Sequence, residues 1–119
     1  MNKKELSRLK RHRRIKLKMH GTHEKPRLIV KRSLNNLSAM VVNDAENRVV
    51  FSFSTASKEF KQKVKNSGNV KATQMFGDLF SIKAKEKGIS KIIFDRAGYL
   101  YHGRIKTFAE SLRKGGLEF

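Results

Sequence analysis

The sequence predicts an α/β fold: a mixed sheet made of an antiparallel three-strand meander plus one later strand, with helices packed on it and a basic N-terminal arm. Three observations carry this. Between residues 27 and 54, three short apolar and β-branched runs are joined by polar turns, which is the pattern of a meander. Residues 70–87 and 104–114 repeat apolar side chains three and four apart, the period of a helix. Between those two stretches, residues 89–94 form another short apolar run, a strand that follows a long helix. Such a strand can join the sheet parallel to a neighbour through a right-handed crossover. The strand order itself does not follow from the pattern.

Taken in order, residues 1–20 are rich in Lys and Arg, with Leu6, Leu9, Ile15 and Leu17 scattered among them. Leu6 and Leu9 are three apart, so a short helical face is possible. No continuous apolar stripe runs through the segment, and Arg11, Arg13 and Arg14 crowd like charges together. The expectation is a basic arm over 1–20, flexible alone and ordered on phosphate, followed by a single α/β domain over 21–119. Gly21 and Thr22 break the arm, and Pro26 pushes Lys25 to an extended conformation.

The meander then reads as strands over 27–32, 37–42 and 48–54, with turns at Ser33-Leu34-Asn35-Asn36 and at Asn43-Asp44-Ala45-Glu46-Asn47. A short basic helix is expected over 57–65, with Ser57 as N-cap and Phe60 and Val64 four apart, interrupted by Ser67-Gly68-Asn69. The long helix carries an apolar stripe of Ala72, Met75, Phe76, Leu79 and Phe80. Lys85 and Lys87 complement its C-terminal dipole, and Gly88 suits the position just beyond it. The last helix presents Ile105, Phe108, Ala109 and Leu112 on one face. Gly115-Gly116 end it, leaving Leu117 and Phe119 to fold back on the core.

The chain of 119 residues suits one domain and carries a net charge of +18. Residues 1–32 hold 13 Lys and Arg against Glu5 and Glu24, so the charge is densest there. So much self-repulsion calls for a polyanion, with nucleic acid as the leading candidate and an anionic membrane as the second. The membrane reading lacks the leucine and aromatic face of an interfacial helix. Cysteine is absent, which excludes disulfides, thiolate catalysis and cysteine-based zinc sites and is compatible with a reducing cytoplasm. No apolar core of a signal peptide follows the basic N-terminus, and the longest apolar runs are far too short to span a bilayer.

Residues 92–104 form the most informative stretch. A buried-looking strand turns abruptly into Asp95-Arg96-Ala97-Gly98-Tyr99-Leu100-Tyr101-His102-Gly103-Arg104. A loop at the end of a central strand, facing a helix start, is where α/β folds place working groups. Chemistry alone supports equally a plain connector in which Asp95 and Arg96 pair with each other. The run Asp-Arg-x-Gly-Tyr-x-Tyr-His-Gly-Arg, with the terminal Gly-Gly-Leu-Glu-Phe, resembles bacterial large-subunit ribosomal protein eighteen. The likeness continues through Gly21-Thr22, Pro26-Arg27-Leu28, Arg32-Ser33, Ser54-Thr55 and Lys87-Gly88-Ile89. It is weakest in the first ten residues and around 56–70. The resemblance implies a structural, non-enzymatic protein of the large ribosomal subunit, located in the cytoplasm. Its expected partners are 5S rRNA, 23S rRNA and neighbouring ribosomal proteins, with no cofactor, membrane or small-molecule substrate. It also implies a mixed sheet with helices on its faces.

On this reading the RNA-binding residues are Lys10, Arg11, Arg13, Arg14, Lys16 and Lys18 on the arm, and Lys31, Arg32, Asn36, Arg96, Tyr99, His102 and Arg104 on the body. The cations neutralise phosphates, and Tyr99 or His102 stacks or hydrogen-bonds at unpaired RNA. Several positions depart from the family. Leu34, Asn35 and Asn36 stand where Lys and His are common, which leaves less charge at the hairpin. Phe51 and Phe53 replace small residues. They read as the core side of the third strand rather than as a base-stacking platform, with Gly77 making room opposite them. Ala97 replaces a glycine, so a positive φ is not expected there. A nuclease reading would need Asp44, Asp78 and Asp95 to converge on metal, and nothing in the pattern draws them together. His20 and His23 lie close in sequence, but no further ligand completes a metal set.

Overall fold

Polar turns set the strands of the meander. The structure, a computed structural model, describes residues 2–16, 19–63 and 69–119. The Ser33 N–H donates to the Asn36 carbonyl at 2.9 Å, and the Asn36 N–H returns to Ser33 Oγ at 3.1 Å. This closes the link between β1 (Arg27–Arg32) and β2 (Leu37–Asn43). The second turn is held by Asn43 Oδ1, which accepts from the N–H groups of Ala45 and Glu46, and it leads into β3 (Arg48–Ser54). Both pairings are antiparallel. The later strand, β4 (Ile93–Asp95), pairs parallel to β1, so the order is β3-β2-β1-β4.

That strand is shorter than the expected 89–94. Ahead of it the chain pairs with its own tail, where Ile92 N–H donates to the Glu118 carbonyl at 3.0 Å and Glu118 N–H to the Ser90 carbonyl at 2.9 Å. Leu117 is buried by this pairing, and Phe119 stacks on Phe94 at 5.4 Å.

Alternation sends Leu28, Val30, Ala39 and Val41 to one face, where they are buried. Phe51 and Phe53 share that face and meet Phe80 at 5.0 Å and Phe76 at 5.3 Å, so they are core residues. The helices that cover this face are α2 (Lys58–Lys63), α3 (Val70–Glu86) and α4 (Arg104–Lys114). Ser57 Oγ accepts from Phe60 N–H before α2, and Asn69 Oδ1 accepts from Ala72 N–H before α3. Val64, Lys65 and the Ser67-Gly68 break lie outside the described residues.

The inward face of α3 is rotated from the expected stripe. Met75 is exposed, while Thr73, Gly77 and Ser81 are buried beside Phe76 and Phe80. The cause is α4. A Cβ at Gly77 would lie 2.4 Å from Ser111 Cβ, so Gly77 makes room for α4 and not for the phenylalanines of β3. Phe76 and Phe80 pack on Phe108 at 5.3 and 5.6 Å, and each such ring contributes roughly 1.5–3 kcal/mol by leaving water. Gly88 ends α3 with φ 78°, as expected of a glycine in that position.

In front of the meander, α1 (Lys3–Lys16) starts at Asn2, whose Oδ1 accepts from Glu5 N–H at 2.8 Å. It lies against the loop that follows β4. Among the described residues no helix is long and apolar enough to cross a membrane.

Candidate nucleic-acid interface

The loop after β4 is shaped from inside by Asp95, which is fully buried. Its Oδ1 accepts from Ala97 N–H at 2.8 Å, and its Oδ2 accepts from Arg27 Nη1 at 2.7 Å. Asp95 therefore pairs with Arg27 and not with Arg96. The bond to the Ala97 amide draws the backbone into a tight turn, and Ala97 takes φ 53°. This corrects the expectation that alanine at this place needs no positive φ; the conformation costs roughly 1–2 kcal/mol in an L-residue. Arg96 folds back and donates from Nη1 to the Tyr99 carbonyl, closing the loop.

Arg27, at the first position of β1, has a side chain only 5% exposed. Its other nitrogens grip Asp44 in a fork, Nε to Oδ2 at 2.9 Å and Nη2 to Oδ1 at 3.0 Å. Burial alone would lower the guanidinium pKa, but the bonds to Asp44 and Asp95 outweigh it and hold the group above its ordinary value. The same fork holds the Asp44 carboxyl below its ordinary value, helped by the Gly21 N–H at 2.7 Å. Two of the three aspartates that the sequence leaves apart thus converge, and what they converge on is a guanidinium. Asp78 stays exposed on α3. Among the described residues no group of three or more His, Asp or Glu could hold a metal ion.

The outer side of the loop seats α1. Arg8 Nη1 donates to the Ala97 carbonyl at 3.0 Å and Arg11 Nε to the Gly98 carbonyl at 2.8 Å. The Arg8 guanidinium lies 4.7 Å from the centre of the Tyr99 ring, and that of Arg32 lies 5.1 Å from it. Tyr99 is 8% exposed and donates its hydroxyl to the Arg32 carbonyl at 3.3 Å. Its ring is covered by cations and holds them in place. Arg104 opens α4 and donates from Nη2 to the Ser33 carbonyl at 2.7 Å, tying the helix to the β1–β2 turn. Its Nη1 is buried with no partner in the described structure. Burial, with the charge of Arg32 added, lowers its pKa. Asn36 Oδ1 accepts from Thr55 Oγ1, which accepts in turn from Leu37 N–H, a strut inside the hairpin.

These elements enclose a cleft lined by Lys3, Lys4, Arg8, Arg11, Lys31, Arg32, Tyr99 and His102, with one carboxylate, Glu5, among the described lining residues. The structure brings together Arg11, Lys31, Arg32, Tyr99 and His102 from the expected set; Arg96 and Arg104 do not line the cleft and are held by the carbonyls of Tyr99 and Ser33. Lys10, Arg13 and Arg14 are exposed on α1 but do not line the cleft. Lys16 is the last residue of α1, and Lys18 lies outside the described residues. Lys3, Lys4 and Arg8 are additions to the sequence reading. The signal for Arg8 was its spacing: Arg8, Arg11 and His12 fall on one helical face, which a search for apolar periodicity passes over. Among the described residues, Arg8, Arg11, Lys31, Arg32 and Arg104 form no ion pair with a carboxylate. Asp44 and Asp95 are taken up by Arg27, so the rim keeps an unbalanced positive field suited to phosphates.

Residues 2–119 match the family described as ribosomal L18 of archaea, bacteria, mitochondria and chloroplasts. The chain is 51% identical over 112 residues to large ribosomal subunit protein uL18 of Desulforamulus reducens, covering 94% of this chain and 92% of that protein. It is 46% identical to the uL18 protein of Heliobacterium modesticaldum, with 98% and 95% covered. The uL18 protein of Thermotoga petrophila is 45% identical, with 99% and 96% covered.

Proposed function

Because this chain belongs to the ribosomal L18 family, structural and non-enzymatic proteins of the large ribosomal subunit, we propose that it binds 5S rRNA and helps attach it to 23S rRNA. The observation that carries this reading is the cleft rim, where cations from α1 and β1 gather and, among the described residues, form no ion pair with a carboxylate. Phosphates of 5S rRNA enter the cleft, and Lys31, Arg32, Arg11 and Arg8 replace their counterions. Arg32 offers a planar fork that fits two phosphate oxygens at once. His102, exposed at the mouth, reaches bases or sugars at irregular RNA. Lys10, Arg13 and Arg14, exposed on the same helix and outside the cleft lining, meet the second RNA, 23S rRNA. Recognition is by shape and phosphate geometry, without bond making or breaking, in the cytoplasm and beside other large-subunit proteins.

Chemical footprinting of 5S rRNA tests this. The wild-type chain should protect a bounded set of riboses and phosphates, and Arg32→Gln should release a subset of them. Protection spread evenly over the RNA, or unaltered by Arg32→Gln, would speak against the cleft as the 5S rRNA site.

A further inference from the structure

Arg27 is too deeply buried to meet RNA, yet it joins three separate parts of the chain. Its fork holds Asp44 in the β2–β3 turn and Asp95 at the end of β4. The second oxygen of Asp95 holds the Ala97 amide, and the carbonyls of Ala97 and Gly98 then receive Arg8 and Arg11. His12, one turn further along α1, places Nε2 3.6 Å from Asp95 Oδ2. An unbroken series of bonds therefore runs from the core of the sheet to the arm.

We infer that Arg27 is a positioning residue for RNA binding: through Asp95 and the 97–98 turn it fixes the seat of α1, and so sets the spacing between Arg8 and Arg11 on one wall of the cleft and Lys31 and Arg32 on the other. This rests on the reading of the cleft as a 5S rRNA site. Fixed spacing matters because phosphate contacts set register and orientation, while loosely held cations bind any RNA alike. Arginine is needed because only a planar fork can hold two carboxylates in one geometry; lysine offers a single point charge. Arg27 and Asp95 are buried, so breaking the set leaves a carboxylate in the core without its partner.

The test uses the full chain as wild type, Arg27→Lys, Arg11→Ala and the double variant, with Asp44→Asn as a milder loosening of the fork. Amide hydrogen exchange is read in the free protein, and dissociation constants are read for 5S rRNA and for tRNA at one salt concentration. In Arg27→Lys, exchange in α1 should quicken about tenfold while α3 and α4 keep their protection. Affinity for 5S rRNA should fall about tenfold with tRNA affinity held within about twofold, since charge is conserved. Adding Arg11→Ala should quicken exchange in α1 little further, because both changes break one linkage. Asp44→Asn should show the same pattern at smaller size, which settles the matter if Arg27→Lys does not fold. Unchanged exchange in α1, equal loss of protection in all helices, or parallel loss for both RNAs would overturn the proposal. A wild-type chain with no preference for 5S rRNA would instead reject the reading of the cleft, and with it any role of Arg27 in RNA binding. The exchange data would still show whether Arg27 holds α1.

Discussion

The backbone of Gly98 lies so close to that of Arg8 that a Cβ at position 98 would stand 2.1 Å from the Arg8 carbonyl oxygen. Glycine is required there twice, for this approach and for its φ of 81°. The seat of α1 is thus written into a loop 90 residues away in the chain.

Gly98→Ala should therefore unseat α1 while leaving the body folded. Overpacking and backbone strain each cost about 1–3 kcal/mol, more than two hydrogen bonds to the loop return. Nuclear magnetic resonance should show the α1 amides shifted or broadened and those of α3 unchanged. An α1 that stays in place would show that its docking does not depend on this contact.

Arg32 and Arg96 should separate by role. Arg32 faces the cleft, and Arg32→Lys should weaken 5S rRNA binding by about 1–2 kcal/mol at an unchanged melting temperature. Arg96 closes its own loop on the Tyr99 carbonyl, so Arg96→Lys should lower the melting temperature more than the affinity of folded molecules. Lys61, exposed on α2, is the control. If Lys61→Ala weakens binding as much as Arg32→Lys, charge alone explains the interaction.

Asp44 should shape the acid limb of stability. Its pKa is lowered in the folded chain, so its contribution is full above the ordinary value of 3.8 and is lost as the pH falls through the lowered folded value. Arg27 is held above its ordinary value and adds nothing that titrates in the usual range. Asp44→Asn should be less stable near neutrality and show a shallower decline below about pH 4 in thermal melts. Parallel wild-type and variant curves down to acid pH would contradict the fork.

A chain beginning at Gly21 keeps all four strands and α2, α3 and α4. It should fold cooperatively, retain a weakened 5S rRNA footprint and lose part of its salt dependence, because α1 carries one wall of the cleft. Failure to fold would make α1 part of the core and move the domain boundary.

What could be read from the residues was what is local. The strands of the meander, Ser57 as a cap and Gly88 as a helix end each depend on neighbours within a few positions. Met75 was misplaced because the face of α3 is chosen by Ser111 of α4, which no spacing within α3 reveals. The positive φ of Ala97 comes from the Asp95 carboxylate, and that carboxylate is aimed by Arg27, 68 residues earlier. An arginine in an apolar strand after a proline carries no local sign of such partners. The rim cations were legible as charge, but their division between loop carbonyls and open cleft is a tertiary fact. That the Tyr99 ring lies under the guanidiniums of Arg8 and Arg32 is likewise visible only in the fold.

The most direct measurement is equilibrium binding of the full chain to 5S rRNA across a salt series, with tRNA as competitor. If roughly 6–10 phosphates are neutralised, affinity should fall about 10³–10⁵-fold between about 50 and 200 mM salt on the duplex-DNA scale. At fixed salt, 5S rRNA should be preferred over tRNA by roughly 10³-fold, the low end for specific nucleic-acid recognition. A nearly flat salt series, or equal affinity for the two RNAs, would contradict a cation-lined cleft built for 5S rRNA.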